Sequence, residues 1–73
     1  MASGPRHEKI IGAAIRMHRR AAKLSQEKLA EKADLHPVYL GQLERGEQVA
    51  SVRALVRIAK ALGIRLRDLV AEV

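Results

Sequence analysis

The side chains best suited to recognise another molecule cluster in one short stretch of this 73-residue chain. Gln42 can offer adenine a bidentate pair of hydrogen bonds, and Val38 can pack on a thymine methyl group. Tyr39 can donate to a phosphate or lie against a sugar edge. With His36 and Pro37 they belong to a predicted helix whose first residues would lie nearest the base edges in a major groove. The candidate base contacts are therefore His36, Pro37, Val38, Tyr39 and Gln42.

Two of these residues have a structural alternative that involves no ligand. Tyr39 can be a half-buried ring that covers the corner before its helix. His36 stands directly before Pro37, and a side chain in that position can simply cap the helix. Both alternatives remain open at the level of sequence.

Residue types that support catalysis or metal binding are absent or dispersed. There is no cysteine, which excludes disulfides, cysteine-ligated zinc and thiol chemistry. His7, His18 and His36 fall on different segments without metal-ligand spacing, and no serine or carboxylate pair has a positioned general base. We predict that the chain is not an enzyme and uses no metal or other cofactor. No pocket for a small-molecule effector is evident either.

Two short amphipathic helices with a tight corner between them hold the candidate base contacts. Ser25 is a suitable helix cap, and the residues that follow it suit a first turn. The corner falls at residues 33–35, Pro37 suits a first helical position, and Gly46 is expected to stop the second helix. This spacing over residues 24–46 is that of a helix-turn-helix.

The remaining periodic segments predict three further helices and no strand. A first helix runs from residue 8 to about residue 23. Ser51 caps a fourth helix that Gly63 ends, and a last helix begins near Arg65. Expected core positions of the first and fourth helices are Ile11, Ala14, Ile15, Val52, Leu55, Ile58, Ala59 and Leu62. We predict an all-α fold, with residues 1–8 as a flexible N-terminal arm and residues 9–73 as a compact five-helix helix-turn-helix domain.

Charge is distributed unevenly along the chain. The net charge of +6 favours a polyanionic partner. Residues 1–24 carry six basic residues and one acidic, residues 25–48 carry three and five, and residues 49–73 carry five and two. Attraction to a DNA backbone must therefore come mainly from the segments that flank the helix-turn-helix. The alternative is a small soluble protein with solvated basic helices.

The last segment carries apolar residues that so small a domain covers only in part. No Phe or Trp is present, so the core must consist of small aliphatic side chains and stays modest. A second subunit that covers exposed apolar surface would add stability, and we expect a homodimer. Leu66 and Leu69 can also close the core of one subunit. The candidate dimer contacts are Val49, Leu69, Val70 and Val73.

Three motifs stand in order along the chain: SQEKLAEKA from Ser25, LERG from Leu43 and IAKALGI from Ile58. In these motifs and their spacing the chain resembles the Cro/Xre-type, lambda-repressor-like helix-turn-helix family over about residues 10–70. The resemblance implies a compact five-helix fold, usually dimeric, that binds pseudo-palindromic operators and controls transcription. Within the family, the run LHPVYLG at residues 35–41 is similar to restriction–modification controller proteins.

The resemblance also implies roles for single residues at helix starts. Gln26 would contact a DNA phosphate at the start of the second helix, where free backbone N–H groups and the helix dipole favour an anion. Ser25 beside it is a cap first and a phosphate contact second. Arg53, at the start of the fourth helix, and Arg45 are the other phosphate candidates.

Two further positions are interpreted through the family. Arg19 and Glu44 stand where many members have a semi-buried ion pair near the DNA face. Pro37 stands where relatives often carry an arginine that reads guanine. We therefore expect specificity to depend on thymine methyl groups, one or two glutamine contacts and DNA shape.

These observations favour a transcriptional regulator that binds double-stranded DNA in a sequence-specific way as a homodimer. The alternative is a protein-interaction or coactivator module that uses the same fold without reading bases. An RNA-binding role is more remote, because only Tyr39 can stack on bases. No apolar run approaches a membrane span and the first residues lack the hydrophobic centre of a signal peptide. We expect a cytoplasmic protein, associated with the nucleoid through DNA, with no membrane partner.

Overall fold

The computed structural model describes residues 6–73, which form five helices and no strand. α1 spans Arg6–Ala21, α2 Gln26–Ala33, α3 Pro37–Glu44, α4 Val52–Leu62 and α5 Leu66–Val70. The predicted all-α fold of five helices is confirmed. α1 packs against α3 and α5, and α2 packs against α3 and α4. The two helices of the helix-turn-helix therefore rest on other helices as well as on each other.

Each helix contributes one large, fully buried side chain to a single aliphatic core. These side chains are Ile15, Leu29, Leu40, Ile58 and Leu69. Buried alanines at positions 30, 33, 54 and 59 lie between them and allow the helices to approach closely. The ring of Tyr39, which is half-buried, packs against this core.

Local sequence explains where the helices begin and end. The hydroxyl oxygens of Ser25 and Ser51 accept hydrogen bonds from the backbone N–H of the third residue of α2 and of α4, at 3.0 Å each. Asp34 takes the left-handed conformation after α2, with φ 58°, and thereby makes the corner. Gly63 ends α4 with φ 72°. The caps predicted at Ser25, Ser51 and Gly63 and the predicted corner are confirmed.

Several predicted boundaries are wrong by a few residues. α1 begins at Arg6, so residues 6–8 are helical and not part of an arm; the rest of the predicted arm lies outside the described residues. Glu8 lies in the first turn of α1, where its carboxylate complements the helix dipole. α1 ends at Ala21, two residues before Lys23. Lys23 adopts a left-handed φ of 60°, which is uncommon for a residue other than glycine and was not predicted. α5 begins at Leu66, within one residue of the predicted start, and ends at Val70.

Two further predictions about α3 and α4 are corrected. α3 ends at Glu44, two residues before Gly46, although Gly46 does take a positive φ of 74° just after it. Val52 was expected in the core but is 70% exposed. It is the first residue of α4, and the buried stripe of that helix begins only at Ala54.

Where α1 crosses the C-terminus of α3, the backbone of Gly12 lies directly against the backbone of Leu43 and Glu44. A Cβ atom at Gly12 would overlap the carbonyl oxygen of Leu43 and lie 2.7 Å from the carbonyl oxygen of Glu44. Because this is closer than any real Cβ contact, only glycine permits the crossing. The close approach brings the arginines of α1 next to the Glu44 side chain at the end of α3.

Candidate nucleic-acid interface

The starts of α2 and α3 lie side by side and form one shallow depression of about 300 Å³. It is lined by Gln26, Glu27, Pro37, Val38, Gly41 and Arg45. Four of these, Gln26, Pro37, Val38 and Arg45, were candidate DNA contacts from sequence. The helix-turn-helix therefore places predicted base contacts and predicted phosphate contacts on one surface.

The exposed N-terminus of α3 is formed by His36, Pro37 and Val38. The Nδ1 atom of His36 accepts a hydrogen bond from the backbone N–H of Val38 at 3.1 Å, so the capping interpretation of His36 is correct. Pro37 occupies the first turn, where its missing N–H leaves no bond unmade. The Val38 side chain is 60% exposed and can contact an apolar group such as a thymine methyl.

Tyr39 and Gln42 are less available than the first residues of α3. Tyr39 is half-buried and packs on the core, which supports its role as a cover for the corner. Gln42 is also half-buried, although its side chain keeps part of its surface open to solvent. Of the five candidate base contacts, three are therefore exposed and two are partly covered.

A buried carboxylate joins the helices behind this surface. The side chain of Glu44 has no exposed area, and the guanidinium of Arg19 donates to it from Nε at 2.7 Å and from a terminal nitrogen at 3.1 Å. Arg19 also donates to the carbonyl oxygen of Leu24 at 2.9 Å. Arg19 and Glu44 thus form the ion pair that the resemblance implied.

Two more side chains donate to the same carboxylate. The amide nitrogen of Gln26 lies 2.9 Å from Glu44, and the Nε atom of Arg16 lies 3.3 Å from it. Sequence reasoning missed both contacts. Arg16 precedes Arg19 by three residues and so shares its helix face, which is a signal that was available. The contact of Gln26 depends on how α2 meets α3 and has no local signal.

The protonation of Glu44 follows from these contacts. Burial of the carboxylate raises its pKa, but the hydrogen bonds from Arg19, Gln26 and Arg16 and the charge of Arg19 outweigh that effect. The pKa of Glu44 is therefore held below its ordinary value of 4.5, and the group is ionised at neutral pH.

The hydrogen bonds to Glu44 also fix the orientation of the Gln26 side chain. One N–H of its side-chain amide is directed to Glu44, while the side chain as a whole remains half exposed beside Gly41. The amide is therefore held at the start of α2 and is not free to rotate. This arrangement supports a fixed hydrogen-bonding position next to the exposed end of α3.

The charged phosphate candidates differ in their availability. The guanidinium of Arg45 is paired with the Glu47 carboxylate through two hydrogen bonds of 2.9 and 3.1 Å, and the bond from Arg45 lowers the pKa of Glu47. Arg45 would have to leave this partner to meet a phosphate. Arg53 lies exposed in the first turn of α4, and Ser25 is committed to its cap.

The four dimer candidates separate into one buried residue and three others. Leu69 is completely buried in the core of a single subunit, so its prediction as a dimer contact is wrong. Val49 and Val73 are 72% and 53% exposed, and Val70 is half-buried. These three remain candidates for a subunit contact.

Residues 6–73 contain neither a cluster of metal ligands nor a membrane-spanning helix. Within residues 6–73, no three histidine or acidic side chains converge as a metal site would require. None of the five helices in this range has the length and apolar character needed to cross a bilayer.

Comparison with known proteins identifies clear relatives of the chain. A family model described as HTH_3, helix-turn-helix, matches residues 15–69. The control protein C.BamHI of Bacillus amyloliquefaciens is 44% identical over 48 residues, which cover 66% of this chain and 59% of that protein. The matched region thus spans about three fifths of this relative.

Two solved structures are similar in both sequence and shape. The restriction-modification controller protein C.AhdI of Aeromonas hydrophila superposes with a TM-score of 0.83 at 37% identity, over 85% of this chain and 94% of that one. SinR, described as the master regulator for biofilm formation and solved in complex with DNA, gives a TM-score of 0.78 at 32% identity. The match to SinR covers 81% of this chain and 95% of that one.

Proposed function

The chain belongs to the HTH_3 helix-turn-helix family of DNA-binding transcription regulators, Xre and lambda-repressor-like in type, and we propose that it reads a specific double-stranded DNA sequence as a homodimer. The operator would be pseudo-palindromic, because a two-fold dimer presents the same reading surface to two half-sites. Its site of action would be the nucleoid in the cytoplasm.

The observation that carries this proposal is the exposed start of α3 beside the start of α2. The side chains of Val38 and Gln42 can meet a thymine methyl and an adenine edge, respectively. Gln26 would hold a phosphate at the start of α2, where unpaired backbone N–H groups already favour an anion. Arg53 would meet the backbone from the start of α4.

The buried network explains why these contacts would be precise. Glu44 fixes the α1 arginines and Gln26 relative to the end of α3. The reading helix and the phosphate contact are therefore parts of one rigid unit. A rigid surface loses less conformational freedom when DNA binds, which favours discrimination between sequences.

Selection of bound duplexes from a random DNA pool tests the proposal. The expected result is an enriched motif with two-fold symmetry, rich in A·T pairs where Val38 and Gln42 make contact. A non-symmetric motif would argue against the dimer. Failure to enrich any motif would favour a protein-interaction or coactivator module built on the same fold.

A further inference from the structure

His36 is an unusual helix cap because its acceptor is a ring nitrogen. Its backbone is extended, with φ −70° and ψ 136°, and its Nδ1 atom accepts from the Val38 N–H at 3.1 Å. The other two side-chain caps that accept from a backbone N–H, at the starts of α2 and α4, are serines. Serine ends at its capping oxygen, whereas histidine has a second polar atom beyond the cap.

The cap determines where the proton of the His36 ring lies. A nitrogen that accepts a hydrogen bond carries no proton, so Nδ1 is unprotonated in this geometry. The neutral ring must then carry its proton on Nε2. Nε2 lies on the opposite side of the ring from the capped N–H, and the His36 side chain is exposed. The residue therefore presents one fixed N–H donor at the start of α3.

The side chains that follow His36 at the start of α3 offer few alternative donors. Pro37 and Val38 carry no polar side-chain atom. Tyr39 has a hydroxyl, but its ring is packed against the core. A hydrogen bond to a base edge at this end of the helix would therefore come from His36.

We propose that His36 is a specificity-determining residue whose Nε2–H donates to guanine in the major groove, a role that rests on the DNA-reading function proposed above. Guanine presents two adjacent acceptors, N7 and O6, in that groove. Thymine presents one acceptor, O4, beside its C5-methyl group, adenine places an amino donor beside its N7, and cytosine presents a donor alone. A single fixed donor is therefore best satisfied by guanine, and one guanine is expected in each half-site beside the A·T-rich contacts.

The capping and reading roles of His36 can be separated by substitution. His36→Ser keeps an acceptor for the Val38 N–H, as Ser25 and Ser51 do for their own helices, but it removes the distal donor. His36→Ala removes both the acceptor and the donor. Thermal unfolding should therefore leave His36→Ser close to the wild type and lower the melting temperature of His36→Ala.

Parallel selection from a random DNA pool with the wild type and His36→Ser is the test. The His36→Ser motif should keep its symmetry and spacing but lose the guanine preference at one position of each half-site. In binding titrations, replacing that G·C pair by A·T should weaken the wild type about three- to tenfold per half-site, the range of one net hydrogen bond. The same replacement should leave the affinity of His36→Ser unchanged.

Three results would overturn the assignment. An unchanged guanine preference in His36→Ser would mean that another residue reads that base. A uniform loss of affinity for all duplexes would mean that His36 contacts a phosphate. If the wild type enriches no motif, the DNA-reading function and the role of His36 both fail, whereas either of the first two results makes the role of His36 fail alone.

Discussion

Glu44 is the one buried charged residue among residues 6–73, and it connects three helices. It ends α3 and accepts hydrogen bonds from Arg16 and Arg19 of α1 and from Gln26 of α2. A buried ion pair contributes little net stability, because removing the charges from water is costly. Its influence appears when one partner is removed and the other is left buried and unpaired.

Glu44→Ala should lower the melting temperature far more than Glu47→Ala. Removing Glu44 leaves the Arg19 guanidinium, which is only 11% exposed, without its carboxylate, and such a loss costs about 3–5 kcal/mol. Both side chains of the Arg45–Glu47 pair are exposed, so this pair contributes much less to the free energy of unfolding. Thermal unfolding followed by circular dichroism measures both variants. Equal shifts would show that the Glu44 network is open to solvent.

Stability should decline on acidification because of Glu44. Its pKa is lowered in the folded protein, so the unfolded chain binds the proton more tightly. The contribution of Glu44 is therefore complete above the unfolded value of 4.5 and is lost as the pH falls through the lowered pKa.

Glu44→Gln isolates this effect. The variant should be less stable than the wild type at neutral pH, and the difference should narrow as the pH falls below the ordinary pKa of 4.5. Denaturant unfolding at a series of pH values measures it, with Glu47→Gln as the exposed control. A difference that stays constant with pH would mean that Glu44 does not titrate as an ionised, hydrogen-bonded group.

The crossing of α1 over α3 depends on a single glycine. Gly12→Ala should destabilise the protein by about 1–3 kcal/mol, because the added methyl group meets backbone carbonyl groups that cannot rotate away. Gly41→Ala is the matched control within a helix. There the nearest atom is the flexible end of the Arg45 side chain, at 3.3 Å.

The two glycine variants should therefore differ in their effect on the free energy of unfolding. Alanine favours the helix over glycine by up to about 1 kcal/mol, so Gly41→Ala should be neutral or stabilising. Chemical denaturation midpoints of Gly12→Ala, Gly41→Ala and the wild type measure this difference. A stable Gly12→Ala protein would mean that α1 and α3 can separate without cost.

The five helices could be predicted from the sequence, but some of their ends and side-chain contacts could not. Three helix boundaries could be predicted from their capping residues, Ser25, Ser51 and Gly63, because capping depends on local sequence. Lys23 takes a left-handed conformation just after α1, and lysine is not a residue type that predicts one. The burial of Leu69 and the donation from Gln26 to Glu44 depend on tertiary geometry.

The molecule as a whole separates its reading surface from most of its positive charge. The helix-turn-helix segment at residues 25–48 has five acidic residues against three basic ones, while the segments on either side are basic. Two arginines of α1 are also directed to Glu44. Under the proposed function, attraction to the DNA backbone would therefore come mainly from exposed cations outside α2 and α3, such as Arg53.

Assembly should depend on apolar residues near the C-terminus. Val73→Glu should shift the protein from dimer toward monomer, since it places a charge on apolar surface that a partner would cover. Val52→Glu is the control, because Val52 is equally apolar and 70% exposed but is not among the dimer candidates. Sedimentation equilibrium measures both. Identical association constants for the two variants would exclude Val73 from the interface.

The central claim is that the exposed start of α3 reads a DNA sequence. The most direct measurement is the ratio of dissociation constants for a selected duplex and a scrambled duplex of equal length, by fluorescence anisotropy at physiological salt. The account predicts a ratio of about 10³ or more, as specific regulators achieve. A ratio near one, with both affinities falling steeply as salt rises, would contradict it, because the protein would then bind only the phosphate backbone.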